Sequence, residues 1–241
     1  MKQLSRVALY GGTFDPVHAG HLKIAQTLLE LLALDEFWFV PAHVAPHKRD
    51  ARVTPPLHRY AMLALATQHE ARLRINTIEL DAPERPYTFD TLTRLSREAE
   101  ESRVSLFFVM GVDSWAEICT WREWEKLLRL INYVVITRPG YEFSAAHVTP
   151  QIRERIIDVR SMNRVEIKKI VNESAGAKIY VTDAVLMNVS ATAIRDAVHK
   201  GRSAEWLPFV APPVAAYIRK YELYKDQYET ELSEQTESPA H

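Results

Sequence analysis

Residues 10–21, YGGTFDPVHAGH, constrain this chain more than any other stretch. The protein has seven glycines in 241 residues, and three of them, Gly11, Gly12 and Gly20, fall inside this segment. A glycine-poor chain that concentrates its glycines needs its backbone to turn sharply or to come close to something. The flanks say where. Residues 4–10 end in a short apolar run that reads as a buried strand. Residues 22–34 place Leu22, Ala25, Leu28, Leu29 and Leu32 on one helical stripe. Strand, glycine turn and helix put free backbone N–H groups and the positive end of a helix at a strand's carboxyl edge, which suits a phosphate.

His18 and His21 are three apart, so with a helix beginning near Ala19 they share its first turn and one face. Two imidazole donors there can follow charge developing on a phosphorus centre. Asp15-Pro16 forces an extended or turned chain just before them. The stretch lacks the G-x-G-x-x-G of dinucleotide sites, and no G-K-[ST] follows to make a Walker loop.

Charge excludes several partners. Thirty Lys and Arg against 31 Asp and Glu leave a net charge of −1, which calls for neither nucleic acid nor an anionic membrane. A hydrophobic share of 47% is enough for a sizeable core in one large domain. Cys119 is the single cysteine, so no internal disulfide or cysteine zinc site can form, and it reads as a core thiol. No apolar run approaches the roughly 20 residues that cross a bilayer, and a cytoplasmic location is expected.

The rest of the chain alternates strand and helix. EFWFV at 36–40 reads as a second strand, followed by a basic loop with His43, His47, Lys48, Arg49 and Arg52. Residues 55–70 read as a helix with Leu57, Ala61 and Leu65 on its apolar stripe, and 73–80 alternate like a strand. Thr88 can cap the next helix, which places Pro86-Tyr87-Thr88 at a strand-to-helix corner. VSLFFVM at 104–110 reads as a central strand buried on both faces. If it lies beside the first strand, in the order 3-2-1-4-5, Gly111 and Asp113 face the glycine turn, and Asp113 can bond a ribose hydroxyl or simply cap a helix. Trp115, Trp121 and Trp124 read by default as core or interface.

NYVVIT at 132–137 is a fifth strand, with Arg138 at its carboxyl end, and KIYV at 178–181 a short sixth. Between them, residues 141–177 read weakly as a connecting segment, helical over 152–159 and 165–171. Ser190 is a natural cap for a helix over 191–199 that Gly201 ends. Thr192 and Arg195 share a face near its start, and long side chains lean toward the N-terminus, so Arg195 reaches the anion site of that helix. A terminal helix over 214–223 precedes an acidic tail at 225–241, expected to be disordered. The pattern predicts an α/β fold: a Rossmann-like, doubly wound, mostly parallel sheet of five to six strands with helices on both faces, in one domain over residues 1–224.

GGTFDPVHAGH resembles the signature of the HxGH nucleotidyltransferase superfamily, in the spelling of bacterial nicotinate-nucleotide adenylyltransferases. APHK at 45–48, Y-T at 87–88, G-x-D-S at 111–114, T-W at 120–121, R-P-G at 138–140, SATAIR at 190–195 and LPFVAPPVAAYI at 207–218 resemble further elements of that family. Ala45 departs from its P-P-H-(K/R) pattern and Val189 replaces its usual isoleucine.

The resemblance implies transfer of the adenylyl group of ATP to nicotinate mononucleotide in NAD biosynthesis, with Mg²⁺ accompanying ATP, bound by phosphates and water with few protein ligands. It implies His18, His21 and Arg195 as the catalytic groups. Gly11, Gly12, Thr13 and Phe14 of the turn, His47 and Lys48 of the basic loop, Gly111 and Asp113, and Ser190 with Thr192 would join them at ATP. Asp15, Thr88, Trp121 and Arg138 would meet the mononucleotide. Two alternatives stay open on the residues alone: a related transferase with another acceptor such as phosphopantetheine, and a nucleotide-binding sensor without turnover. A homo-oligomer also stays open.

Overall fold

A computed structural model describes residues 4–43, 53–82, 86–137, 142–184 and 189–225. The first half runs β1 (Ser5–Gly12), α1 (Ala19–Leu31), β2 (Glu36–Pro41), α2 (Pro56–Thr67), β3 (Leu73–Ile75), α3 (Thr88–Ser102) and β4 (Val104–Gly111). The second half runs α4 (Val112–Ala116), α5 (Trp124–Leu130), β5 (Asn132–Ile136), α6 (Pro150–Arg153), β6 (Ile156–Asp158), α7 (Arg164–Glu173), β7 (Ile179–Thr182), α8 (Ala191–His199), α9 (Ser203–Trp206) and α10 (Pro212–Lys220). No helix among the described residues is long and apolar enough to cross a membrane.

The strands form one sheet in the order β3-β2-β1-β4-β5-β7-β6, and every pair is parallel. The central strands read as unbroken apolar runs because both faces are covered. Val7 and Leu9 of β1 join Phe108, Tyr133 and Val135 on the face packed by Leu92 of α3, Trp115 of α4 and Leu127 of α5. Ala8 joins Phe37, Phe107 and Val134 on the opposite face, packed by Ala25 of α1, Met62 of α2, Ile194 of α8 and Val214 of α10. The sheet is therefore doubly wound, with its direction of winding reversing between β1 and β4.

The seven strands among the described residues exceed the five to six expected. The extra one is β6, inside the weakly read segment, where 152–159 had read as helical. α6 instead stops at Arg153, and Ile156–Asp158 pair with β7 at the sheet edge. A three-residue strand carries too few alternations to declare itself. The reading of 73–80 shortens likewise to Leu73–Ile75. The apolar stripe of α2 also differs: Leu57 is 81% exposed, and the buried face carries Arg59, Met62, Leu63 and Thr67.

Candidate active site

The register brings the sequence motifs to one edge. Gly12 of β1 lies beside Pro41 of β2, and Gly111 of β4 beside Ile136 of β5, which pairs with Thr182 of β7. Tyr10 pairs with Val109, so the ends of β1 and β4 are immediate neighbours. The signature loop, Asp113 and the start of α8 thus all leave the carboxyl edge around the switch point.

Within the signature loop Gly12 and Gly20 serve close approach, and the sharp turn belongs to Phe14, at φ 51°. The Asp15-Pro16 bond is cis. A Cβ on Gly12 would stand 2.9 Å from the Phe14 ring, and one on Gly20 would stand 3.0 Å from both Nδ1 and Cε1 of His18. Phe14 is buried and packs edge-on against Tyr10, His21 and Phe39, so its ring serves the core and steadies His21.

His18 is the N-cap of α1 and only 7% exposed. Its backbone N–H donates to Nδ1 of His21 at 3.2 Å, and the two rings stack with centroids 3.7 Å apart. An Nδ1 that accepts a backbone N–H leaves the ring proton on Nε2. His21 is therefore set to donate from Nε2, at the positive end of a thirteen-residue helix.

Ser190 occupies the N-cap position of α8 with extended backbone, its side chain makes no capping hydrogen bond, and both it and Thr192 are exposed. The Arg195 guanidinium donates from Nη1 to the carbonyl of Asp15 at 2.8 Å and from Nη2 to Oγ1 of Thr192 at 3.3 Å. That bond joins two motifs 180 positions apart in the chain. Asp113 is exposed at the start of α4, where a Cβ on Gly111 would stand 2.6 Å from its Oδ1. Gly111 is the residue that leaves room for this carboxylate.

Asp15, expected at the mononucleotide, takes its carboxylate partners from within the chain. It is 3% exposed, with Oδ1 accepting from the Tyr224 hydroxyl at 2.8 Å and Oδ2 from the backbone N–H of Thr54 at 3.1 Å. Beside it lies Arg59, fully buried on α2. Its guanidinium donates to the carbonyls of Thr54 at 2.9 Å, Thr13 at 2.8 Å and His43 at 2.9 Å. Burial pulls the Arg59 pKa down and the Asp15 carboxylate pushes it back up. Neither Arg59 nor Tyr224 stood out in the sequence. The signal for Arg59 was present: it shares the inward face of α2 with Met62 and Leu63.

On the other side of β4 lie the two candidates for a pyridine ring. Tyr87, rather than Thr88, is the N-cap of α3, because Thr88 already has helical geometry. Trp121 follows the short turn Ile118–Thr120 and is half-buried with its ring edge-on to Phe108. Arg122 ties the two corners together: it pairs with Asp90 at 3.2 Å and lies 4.9 Å over the exposed Tyr87 ring. Below them Glu79 accepts from Oγ1 of the buried Thr91 at 3.2 Å, and burial pushes its carboxyl up to about 7. Of Trp115, Trp121 and Trp124, Trp115 is the one in the core, 1% exposed and bonded to the carbonyl of Ser144. Cys119 is exposed instead of buried, its thiol bonded to the carbonyl of His147 and pushed up in pKa, by desolvation first and then by Glu125. It sits on a turn, whose outward positions a composition argument does not see.

His47, Lys48 and Arg138 lie outside the described residues. Among the described residues, no group of three or more His, Cys, Asp or Glu side chains is placed to hold a metal ion.

Known proteins share the family and the fold of this chain. The cytidylyltransferase-like family model matches residues 9–197. A Thermoanaerobacter sp. (strain X514) protein named "Probable nicotinate-nucleotide adenylyltransferase" is 35% identical over 229 residues, covering 95% of this chain and 99% of its own. A protein of the same name from Corynebacterium glutamicum is 30% identical over 227 residues, covering 94% of this chain and 92% of its own. The structure of Plasmodium falciparum nicotinic acid mononucleotide adenylyltransferase complexed with NaAD superposes with a TM-score of 0.64 at 20% identity, over 91% of this chain and 97% of that one. The signature on β1–α1, the Arg195 element on α8 and near-complete coverage by such relatives agree: this chain belongs to the nicotinate-nucleotide adenylyltransferases of the cytidylyltransferase-like family.

Proposed function

We propose that the protein transfers the adenylyl group of ATP to nicotinate mononucleotide, forming nicotinate adenine dinucleotide and pyrophosphate in NAD biosynthesis. One observation carries the site reading. The stacked His18–His21 pair on α1 and the Arg195 guanidinium on α8 border the same loop, with Arg195 tied to it through the Asp15 carbonyl at 2.8 Å. Together they supply a helix N-terminus, imidazole donors and a planar cation around one crevice, the set of groups a triphosphate needs.

In this reading a phosphate oxygen of the mononucleotide attacks the α-phosphorus in line. The new P–O bond forms as the bond to the bridging oxygen breaks, and that oxygen leaves with pyrophosphate. His21 donates from Nε2 and His18 beside it to the α- and β-phosphate oxygens, where negative charge grows. Gly11, Gly12 and Thr13 offer backbone to the phosphates. Ser190, Thr192 and Arg195 hold the departing pyrophosphate, and His47 and Lys48 add their charge to it. Asp113 takes a ribose hydroxyl. Thr88 and the free N–H groups at the start of α3 bind the nicotinate carboxylate, Trp121 covers the ring and Arg138 adds a cation.

Mg²⁺ accompanying ATP would be held by phosphate and water, and would supply charge screening of the triphosphate. Rate acceleration then comes from positioning and charge stabilisation, and no covalent enzyme intermediate is required.

The test is pyrophosphate release from Mg-ATP with nicotinate mononucleotide, nicotinamide mononucleotide and phosphopantetheine in parallel. Strong preference for the first is expected. Preference for phosphopantetheine would discard the roles of Thr88 and Trp121. ATP binding with no release from any acceptor would make the protein a sensor.

A further inference from the structure

Tyr224 is the last core residue of the described chain, 4% exposed, and it reaches the signature loop from 209 positions away to bond Oδ1 of Asp15. Its backbone adopts φ 71°, a left-handed conformation unfavourable for a bulky side chain. The chain accepts that conformation where it turns the ring inward after α10. Burial, followed by the Asp15 carboxylate, raises the phenol well above its ordinary pKa, so it remains a neutral donor. The other carboxylate oxygen of Asp15 holds Thr54, whose carbonyl holds Arg59, which also holds Thr13. The carbonyl of the same Asp15 seats Nη1 of Arg195. One residue thus carries Tyr224 on its side chain and the triphosphate arginine on its backbone.

We propose that Tyr224 is a positioning residue for adenylyl transfer: its hydroxyl, through Asp15, fixes the peptide whose carbonyl seats the Arg195 guanidinium against the triphosphate. The proposal rests on the reading of Arg195 as a triphosphate ligand. Asp15 is then the hinge point of a relay, and its carboxylate acts without touching substrate.

The experiment is a double-mutant cycle on the full chain with Tyr224→Phe and Arg195→Ala. It reads ATP affinity by calorimetry, kcat and KM for each substrate, and thermal unfolding. Tyr224→Phe keeps the buried ring and removes one hydrogen bond. It is expected to weaken ATP binding and lower kcat, each by about tenfold, the loss expected for one buried hydrogen bond, while KM for nicotinate mononucleotide stays within about twofold. In the Arg195→Ala background it should change neither ATP affinity nor kcat further, because the guanidinium it positions is gone. Tyr221→Phe, on the exposed side of the same segment, should leave all four readings unchanged. Should Tyr224→Phe unfold, Asp15→Asn enters the same cycle: its amide offers one acceptor where the carboxylate offers two, so the phenol and the Thr54 N–H can no longer both be held and the relay is broken at Asp15.

Additive losses in the two backgrounds would overturn the proposal. So would a lowered melting temperature with ATP affinity intact, or an effect confined to KM for the mononucleotide. ATP affinity is read without an acceptor, so an error in the assigned acceptor shows as wild-type inactivity and leaves the cycle interpretable.

Discussion

Gly20 sits where any side chain would strike His18: a Cβ there would stand 3.0 Å from both Nδ1 and Cε1 of the imidazole. The glycine of the H-x-G-H signature is therefore a space left for the first histidine, and backbone freedom is not its purpose. Gly20→Ala should fold, since alanine favours the first turn of a helix. The displaced imidazole should cost roughly one to two powers of ten in kcat by misplacing a single donor. Turnover equal to wild type, measured by pyrophosphate release, would refute this role.

His18→Ala removes a donor and the N-cap of α1. The lost cap should lower stability by about 1 kcal/mol. The lost donor should lower kcat by roughly 10²–10³. Comparing denaturant midpoints with kcat separates the two, and a rate loss no larger than the loss of folded protein would remove His18 from the chemistry.

Trp121→Ala and Thr88→Val probe the acceptor pocket. Each should raise KM for nicotinate mononucleotide and leave ATP affinity unchanged. Thr88→Val should also narrow the preference for the acid over the amide, because the hydroxyl bonds the carboxylate. An unchanged acid-to-amide ratio of kcat/KM would place selectivity elsewhere.

Arg59→Met tests the buried staple. The variant leaves the carbonyls of Thr13, His43 and Thr54 without their donor and the Asp15 carboxylate beside an apolar chain. A loss of about 3–5 kcal/mol is expected, as for other buried charged partners. Arg59→Lys should recover little of it, because an ammonium cannot reproduce the three-way fork. Urea denaturation giving a loss below about 1 kcal/mol for Arg59→Met would show the three bonds to be dispensable.

Glu79 gives a pH dependence with a defined sign. Its folded-state pKa is raised from 4.5 to about 7, so the native state holds a proton that the unfolded chain releases. Its contribution is most favourable below about pH 4.5 and is lost as pH rises toward 7. Wild-type stability should fall relative to Glu79→Gln across that window, by up to roughly 3 kcal/mol, and the difference should level off above it. A difference independent of pH would show that Glu79 stays ionised throughout.

The sequence by itself determined the layout around the switch point. The strand, turn and helix of the signature, the apolar run of β4 and the helix with Ser190 at its N-cap position are local patterns, written in residues adjacent in the chain. Alternation, helical spacing and caps act over a few residues, so they are legible without the fold. That alternation calls for parallel strands joined by crossovers, while the place of β4 beside β1, on which the order 3-2-1-4-5 depends, is supplied by the fold.

Only the tertiary structure decided which partners those residues take. β6 exists because the edge of β7 offers it a ladder, Cys119 faces outward on its turn, and Leu57 yields the inward face of α2 to Arg59. Asp15 illustrates the difference most fully. Its neighbours in the chain mark it as part of a phosphate loop, but its carboxylate is claimed by Tyr224, 209 positions away, and by Thr54. A buried polar atom must be satisfied by whatever donor the packed core brings within about 3 Å, and no local pattern in a chain encodes that distance.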